Sequence, residues 1–286
     1  MNILITGSNG QLGNEMRVLS KEHAKHRYFF TDVVPAEETF ALDICDKAAV
    51  SAFVEAQAID LIVNCAAYTN VDKAEEDEAT AMKINADALD VLGTQGVKVI
   101  HVSTDYVFSG DEHVPCREID PVAPRTAYGR TKYAGEKILL AVCPEAVILR
   151  TAWLYSTYGN NFVKTMIRLG KGKSELGVVF DQIGTPTYAA DLAQAIFTVI
   201  ESPVWHAGIY HFTNEGVCSW YDFTLAIHEA AGIKGCHVRP ILSEEYQYKT
   251  PRPHYSVLDK SKFKKTFNVE IPHWREALIR CIKKLS

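Results

Sequence analysis

Short apolar runs alternate with amphipathic segments through the first half of the sequence. In residues 11–20, Leu12, Met16 and Leu19 recur at the spacing of one helical face. Asp46 is suited to cap a second helix, and a longer helix is predicted over residues 75–95, with acidic residues in its first turn. Five apolar runs are predicted to be strands: residues 2–6, 27–31, 60–65, 97–103 and 146–150.

This alternation is typical of a parallel sheet that helices cover on both faces. Because such crossovers are right-handed, we expect a doubly wound α/β fold with a Rossmann sheet. The second half is less regular, although Ser219 and Asp222 have the spacing of a capping box. Its predicted helices cover residues 161–169, 189–201, 220–231 and 273–285, and its short strands residues 177–180 and 209–212.

The pattern suggests two structural units. We expect residues 1–155 to form a dinucleotide-binding domain, with residues 185–202 packing back on it. Residues 156–286 are expected to form a smaller, discontinuous α/β lobe that binds the substrate.

Composition excludes several classes of function. The 286 residues are 47% hydrophobic and 23% charged, and the formal net charge of −5 argues against a nucleic-acid partner. No apolar stretch approaches the roughly 18 residues of a membrane span, and no leader precedes the first strand. The seven cysteines are scattered, odd in number and never spaced Cys-x-x-Cys. We therefore expect reduced thiols in a cytoplasmic protein that has no membrane partner.

Three glycines stand directly after the first strand, where they open the first helix. Gly7, Gly10 and Gly13 would let the backbone turn tightly and approach a pyrophosphate, which then sits on the helix N-terminus beside Gln11 and Leu12. A glycine-rich turn without a ligand is the alternative. The position after a strand favours a dinucleotide site.

Acidic residues at two later positions bear on the cofactor. Asp32 ends the second strand and could accept the ribose 2′-hydroxyl, which favours NADH because the glycine loop has no cation for a 2′-phosphate. Asp32 could equally cap the loop. Asp43 and Ile44 follow a short extended run and could meet the adenine, although Asp43 could simply begin a loop.

Tyr128 and Lys132 are the most informative pair in the chain. Residues four apart lie on one face of a helix, so the ammonium would be near the phenol. A nearby cation lowers the pKa of a phenol from about 10 toward the range that general acid–base catalysis uses. A chance surface pair is the alternative. The glycine motif upstream favours the functional interpretation.

These motifs together resemble the extended short-chain dehydrogenase/reductases, and within them the dTDP-4-dehydrorhamnose reductases. Dehydratases of this superfamily carry Thr-Asp-Glu where this chain has Thr104, Asp105 and Tyr106, so the resemblance implies simple reduction. The motifs cover nearly the whole chain: residues 7–13, 64–75, 103–108, 128–132, 150–155, 159–162, 181–187 and 252–259.

The resemblance implies reduction of the C4 ketone of dTDP-4-dehydro-6-deoxy-L-mannose to dTDP-L-rhamnose, with NADPH or NADH. Tyr128 would donate the proton, Lys132 would tune the phenol and grip the nicotinamide ribose, and Thr104 would hydrogen-bond the ketone oxygen, unless it only satisfies local backbone. The remaining implied residues are Ala67, Tyr68, Thr69 and Val102 for the cofactor, and Asp105, Tyr106, Trp153, Asn161 and Arg252 for the substrate.

Two other functions remain open. An epimerase or dehydratase is disfavoured by Tyr106, and a non-catalytic NAD(P)-binding subunit, like the regulatory subunit of methionine adenosyltransferase, is disfavoured by the intact Thr104.

Some family members dimerise through acidic residues that hold a metal. Glu15 and Asp191 are acidic here, but Ala190 offers no ligand, so we expect no metal and either a monomer or a homodimer.

Overall fold

The computed structural model describes residues 1–285. Its strands are β1 (Asn2–Thr6), β2 (Arg27–Asp32), β3 (Phe40–Ala41), β4 (Leu61–Asn64), β5 (Lys98–Thr104), β6 (Val147–Thr151), β7 (Leu154–Tyr155), β8 (Glu175–Val179), β9 (Ile183–Gly184), β10 (Thr187–Tyr188), β11 (Gly208–His211), β12 (Cys218–Ser219) and β13 (His237–Ile241). The five strands predicted in the first half match β1, β2, β4, β5 and β6 to within one residue at each end.

The helices begin with α1, which follows the glycine motif. In order they are α1 (Gln11–Ser20), α2 (Lys47–Ala56), α3 (Val71–Glu76), α4 (Glu78–Met82), α5 (Ala88–Gly93), α6 (Ala127–Val142), α7 (Phe162–Gly172), α8 (Ala189–Glu201), α9 (Trp220–Ala230), α10 (Ser261–Phe267) and α11 (Trp274–Leu285). The Ser219–Asp222 capping box at the start of α9 is confirmed. None of the helices in residues 1–285 is long and apolar enough to cross a membrane.

Seven parallel strands form the central sheet, in the order β11-β6-β5-β4-β1-β2-β3. One face packs against α1 and α8 through residues such as Met16 and Ile196, and the other packs against α2, α5 and α6 through residues such as Val50 and Leu139. The doubly wound parallel fold is therefore confirmed. Strand β11 falls within the range that we expected to belong to the smaller lobe, yet it pairs with β6 at the sheet edge.

A third core lies outside the central sheet. There β8 and β13 pair in parallel, and α7, α9 and α11 pack around them through residues such as Phe223 and Trp274.

The prediction of one long helix over residues 75–95 was correct for residues 78–93, which are continuously helical, but wrong in its start and its regularity. Asp77 has a non-helical backbone conformation (φ −141°, ψ 71°), and its carboxylate accepts a hydrogen bond from Thr80 N at 3.0 Å, so it ends α3 and caps α4. A π-helical turn over Lys83–Asp87 then separates α4 from α5. This turn positions Asn85, whose side chain is bonded to the backbone of Tyr68 and to Thr131 on α6.

Helix α6 lies very close to this π-helical turn. Gly135 makes the close approach possible, because a Cβ atom added there would overlap the carbonyl oxygen of Asn85. One residue further on, the Glu136 carboxylate is paired with Arg150 on β6, and both side chains are 1% exposed. These contacts fix the helix that carries Tyr128 and Lys132.

We expect Gly135→Ala to lower the free energy of unfolding by about 2–3 kcal/mol, because the added methyl group meets backbone that cannot rotate away. Gly172→Ala is the matched control, since Gly172 is also helical but has no atom within 4 Å of the added Cβ. The control should be neutral or stabilising by up to about 1 kcal/mol. Urea unfolding of both variants is the measurement, and equal stability of the two would contradict the close approach.

Candidate active site

A cleft of about 850 Å³ lies at the carboxyl ends of the central strands. It spans the point where the strand order reverses, between β1 and β4, which is where ligands bind in open α/β sheets. A smaller cavity of about 250 Å³ lies next to it, and Tyr106 and Trp153 line both.

The glycine end of the cleft fits a pyrophosphate. Gly7 has φ +63°, and a Cβ atom there would lie 2.6 Å from Ala66 Cα, so the loop passes tightly over the end of β4. Gly10 is the N-cap of α1 and provides no side-chain acceptor for the first-turn N–H groups. Gln11 and Leu12, whose N–H groups lie in that turn, line the cleft. Gly13 lies behind them, packed on the backbone of Ser8.

Asp32 and Asp43 line the cleft and also hold local backbone. The Asp32 carboxylate accepts hydrogen bonds from Asn9 N at 3.1 Å and Val34 N at 3.3 Å, as the capping alternative predicts. Asp43 accepts from Cys45 N at 2.9 Å. Asp32 and Asp43 line the cleft despite these backbone contacts, and Ile44 lines it as well.

Sequence reasoning missed a cation near this end. Arg17 on α1 stacks over the Phe30 ring at 4.2 Å and donates to the Thr39 hydroxyl at 2.7 Å. Arg17 was missed because it lies outside the glycine loop, on which the expectation of NADH was based. The signal was available, since Arg17 lies one helical turn beyond Gly13 on the first helix.

Beyond the glycine loop, the cleft brings together Thr104, Tyr128 and Lys132, with Ala67, Thr69 and Val102 also in the lining. Lys132 Nζ donates to Val102 O at 2.8 Å and lies 3.0 Å from His101 Nε2. Tyr68 is outside this lining, and it packs against the small residues around Ala127.

The expected lowering of the Tyr128 pKa is not what the structure shows. Burial raises the pKa of Tyr128 to about 12, and a hydrogen bond with Thr104 offsets only part of this rise. No hydrogen bond joins Lys132 Nζ to the phenol within residues 1–285. Burial also lowers the pKa of Lys132 to about 7, so much of its charge is absent at neutral pH.

Asp105 is a buried carboxylate at the cleft wall. The Thr104 hydroxyl donates to its Oδ1 at 2.9 Å and accepts from Tyr106 N at 3.2 Å. Asp105 Oδ2 is buried and has no hydrogen-bond partner among the described residues. Burial raises the Asp105 pKa to about 6.

Aromatic rings separate the cleft from the smaller cavity. Trp153 has a left-handed backbone with φ +48°, and its indole stacks on Trp220 with ring centroids 3.4 Å apart. The Tyr106 ring meets the Tyr128 ring edge-on at 5.4 Å. These flat apolar surfaces suit a sugar ring or a base.

The two residues expected to bind the diphosphate have local partners. Asn161 caps α7, accepting from Lys164 N at 3.1 Å, and its amide donates to Gln11 Oε1 at 3.0 Å. Arg252 lines the smaller cavity, where its Nη2 lies 3.0 Å from both Asp72 oxygens. The Asn161 side chain therefore caps the N-terminus of α7, whereas the Arg252 side chain lines a cavity.

The acidic residues considered for an interface metal have other partners. Glu15 accepts from the Ser156 hydroxyl at 2.6 Å, and Asp191 pairs with Arg280 at 2.7 Å. No group of three or more metal-ligating side chains occurs within residues 1–285.

Comparison with known proteins agrees with this geometry. The family model described as RmlD substrate binding domain matches residues 1–286. A solved structure of a dTDP-4-dehydrorhamnose reductase from Clostridium acetobutylicum is 42% identical, covers 100% of this chain and 99% of its own, and superposes with a TM-score of 0.92. Another from Bacillus anthracis, in complex with NADP, is 37% identical over 99% of both chains, with a TM-score of 0.90.

A curated relative, the spore coat polysaccharide biosynthesis protein SpsK of Bacillus subtilis, is 38% identical over 99% of this chain and 98% of its own length. Because the family match spans every residue and the similarity is nearly full-length, the chain belongs to the RmlD family, in which the two solved relatives are dTDP-4-dehydrorhamnose reductases.

Proposed function

We infer that this protein reduces the C4 ketone of dTDP-4-dehydro-6-deoxy-L-mannose to dTDP-L-rhamnose with NADPH or NADH. One observation carries the proposal. Thr104, Tyr128 and Lys132 lie on one wall of a cleft whose other end is an uncapped helix N-terminus, in a chain of the RmlD family. When bound, the nicotinamide supplies a hydride, so the protein must orient the ketone and deliver one proton.

Tyr128 is proposed as the proton donor. With a pKa of about 12 the phenol stays protonated at neutral pH, as an acid must before it acts. The alkoxide that forms at the ketone oxygen is a stronger base than a phenolate, so transfer from Tyr128 is favourable. The Thr104 hydroxyl, which points to Asp105 in this structure, would turn to the same oxygen and stabilise the developing charge.

The substrate's two ends are proposed to lie in different parts of the site. The sugar lies beside Asp105, Tyr106 and Trp153, and the nucleotide extends into the smaller cavity, where Arg252 meets the diphosphate. The proposal rests on the position of Arg252, which is 18% exposed and held by Asp72 in an orientation facing that cavity. An arginine fork is well suited to phosphate oxygens.

We also propose the domain division stated above, except that β11 belongs to the central sheet. Residues 1–155, 185–202 and 208–211 would form the cofactor-binding domain, and most of the remainder would form the lobe that completes the substrate site. Packing of α8 on α1 and the separate core around Phe223 support it. All seven cysteines are free, which fits a cytoplasmic enzyme. The proposed site residues all lie in one chain, so the active site can be complete in a monomer or in each subunit of a homodimer.

The direct test is loss of the reduced-nicotinamide absorbance after addition of the dTDP-keto sugar. A reductase oxidises one cofactor for each ketone reduced. A non-catalytic subunit would bind the cofactor without oxidising it, and an epimerase or dehydratase would convert the sugar with no net oxidation. Parallel assays with the UDP-keto sugar measure base selectivity.

We expect Tyr128→Phe to lower kcat by about 10²- to 10⁴-fold, because the ring keeps its packing and loses only the proton donor. Cofactor binding and thermal stability should stay near wild type. Steady-state kinetics and cofactor titration measure the two effects. A kcat within a few-fold of wild type would remove Tyr128 from the proposed role.

Asp105→Asn should raise the melting temperature at about pH 8 and change it little at about pH 4. In the folded protein the Asp105 pKa of about 6 lies above its ordinary value of 3.8. Ionising Asp105 therefore destabilises the fold; this cost is absent below about pH 3.8 and reaches its full size above about pH 6. The cost is about 2–3 kcal/mol. KM for the keto sugar should rise, because the charged acceptor is lost. Equal melting shifts at both pH values would exclude the buried charge as the cause.

Arg252→Ala should raise KM for the nucleotide sugar by about 10- to 150-fold with little change in kcat, since a diphosphate contact is similar in the ground and transition states. Lys249→Ala is the matched control, because Lys249 lies in the same loop and pairs with Glu76 on the same helix, but is 76% exposed. The control should leave KM nearly unchanged. Equal effects of the two substitutions would show that only docking of the loop matters.

A further inference from the structure

A chain of buried polar groups runs behind Lys132, from β1 through β4 to β5. The Thr6 hydroxyl donates to Asn64 Oδ1 at 2.6 Å, and Asn64 Nδ2 lies 3.0 Å from His101 Nδ1. On the other side of the imidazole ring, His101 Nε2 lies 3.0 Å from Lys132 Nζ. Thr6, Asn64 and His101 are each 1% exposed. Of these four residues, only Lys132 lines the cleft.

The orientation of the Asn64 amide fixes the tautomer of His101. Asn64 Oδ1 accepts from Ala66 N at 3.2 Å as well as from Thr6, so its oxygen must face these two donors. The amide nitrogen therefore faces His101 and donates to Nδ1. A neutral imidazole that accepts at Nδ1 carries its hydrogen on Nε2. The ring is neutral, because burial and the nearby Lys132 hold the pKa of His101 well below its usual value.

Lys132 thus meets a hydrogen-bond donor at His101. An ammonium has only donors, whereas a neutral amine can accept from Nε2–H with its lone pair. The amine donates one hydrogen to Val102 O and keeps one for a ligand in the cleft. We propose that His101, oriented by Asn64, is a positioning residue that holds Lys132 as the uncharged amine in the resting site, and that charging Lys132 requires His101 to change tautomer.

The groups on the α6 side of Lys132 do not reverse this preference. Glu136, one turn further along the helix, raises the Lys132 pKa, but burial has the larger effect and lowers it to about 7. The Glu136 carboxylate is already paired with Arg150 and accepts from Ser103. Its charge is therefore largely compensated.

Of the remaining titratable groups at this end of the cleft, Asp105 is the one that is negatively charged near pH 7. Burial raises the pKa of Tyr128 to about 12 and that of Cys65 to about 12, so both are neutral near pH 7. The Asp105 carboxylate, with its pKa raised to about 6, accepts a hydrogen bond from Thr104 and is not bonded to Lys132. Lys132 therefore has His101 and Val102 O as its direct partners.

The charge on Lys132 should set the pH dependence of the reaction, an expectation that rests on the proposed function. After Tyr128 has given up its proton, a charged Lys132 stabilises the phenolate, so the protonated lysine is the active form. Reductase activity should then fall as pH rises through a Lys132 pKa near 7. Because the His101 N–H opposes charging, reversing its tautomer should move this alkaline limb upward.

The tautomer can be observed in the cofactor-free protein by long-range ¹H–¹⁵N correlation of labelled histidines, with His101→Gln to assign the signals. At about pH 9 we expect His101 to be neutral with its hydrogen on Nε2. On lowering the pH it should change to the Nδ1–H form without protonation of the ring, with a midpoint that is absent in Lys132→Met. A ring that carries its hydrogen on Nδ1 at high pH, or keeps Nε2–H throughout, overturns the proposal whether or not the protein is a reductase.

Asn64→Asp supplies the kinetic arm, because a carboxylate accepts from Nδ1–H and so turns Nε2 into an acceptor for the ammonium. The alkaline limb of kcat/KM should move up by about one pH unit, which gives about tenfold more residual activity above the limb. Asn70→Asp is the control, because Asn70 is an exposed helix N-cap in the same connection and gains the same charge. Its limb should not move. If the alkaline limb of kcat/KM moves in Asn64→Asp while His101 keeps its hydrogen on Nε2, the shift is due to the added charge alone and the tautomer mechanism is refuted. If Asn64→Asp does not fold, the histidine titration of the wild-type protein decides.

Discussion

The buried ion pair between Glu136 and Arg150 is the contact on which the site depends. Arg150 Nε and Nη2 lie 2.9 Å and 2.6 Å from the two Glu136 oxygens, and the Ser103 hydroxyl donates to the same carboxylate. It joins α6 to β5 and β6 in a region closed to water. Removing one partner of such a pair leaves an uncompensated charge and typically costs about 3–5 kcal/mol. The helix can therefore dock in one position.

That position determines the chemistry at the cleft. Lys132 lies one turn before Glu136 and reaches Val102 O and His101, while Tyr128 lies a further turn back beside Thr104. Strand β5 thus supports the helix from behind and also supplies residues to the reacting face. The glycine loop follows β1 and packs over the end of β4. The proposed proton donor Tyr128 and a cofactor bound at the glycine loop could therefore meet in one cleft at the carboxyl edge of the sheet.

The sequence was sufficient for features that a local pattern determines. Apolar periodicity predicted β1 and α8 to the residue, and the spacing of Tyr128 and Lys132 placed both on one helical face. Non-local contacts were not accessible in this way. Helix α10 was not predicted because Phe263 is its only buried residue, and the pairing of β11 with β6 joins segments far apart in the chain. His101 was missed because a polar residue within an apolar strand gives no sign of what faces it.

Transfer of deuterium tests the central claim most directly. The protein would be incubated with the dTDP-keto sugar and a reduced cofactor that carries deuterium at the transferred position, and the product examined by NMR. The account predicts one deuterium at C4 of the sugar, none at C5 or C6, and one cofactor oxidised for each product formed. Deuterium at another carbon, or conversion of the sugar with no oxidation of the cofactor, would contradict direct reduction of a C4 ketone at this site.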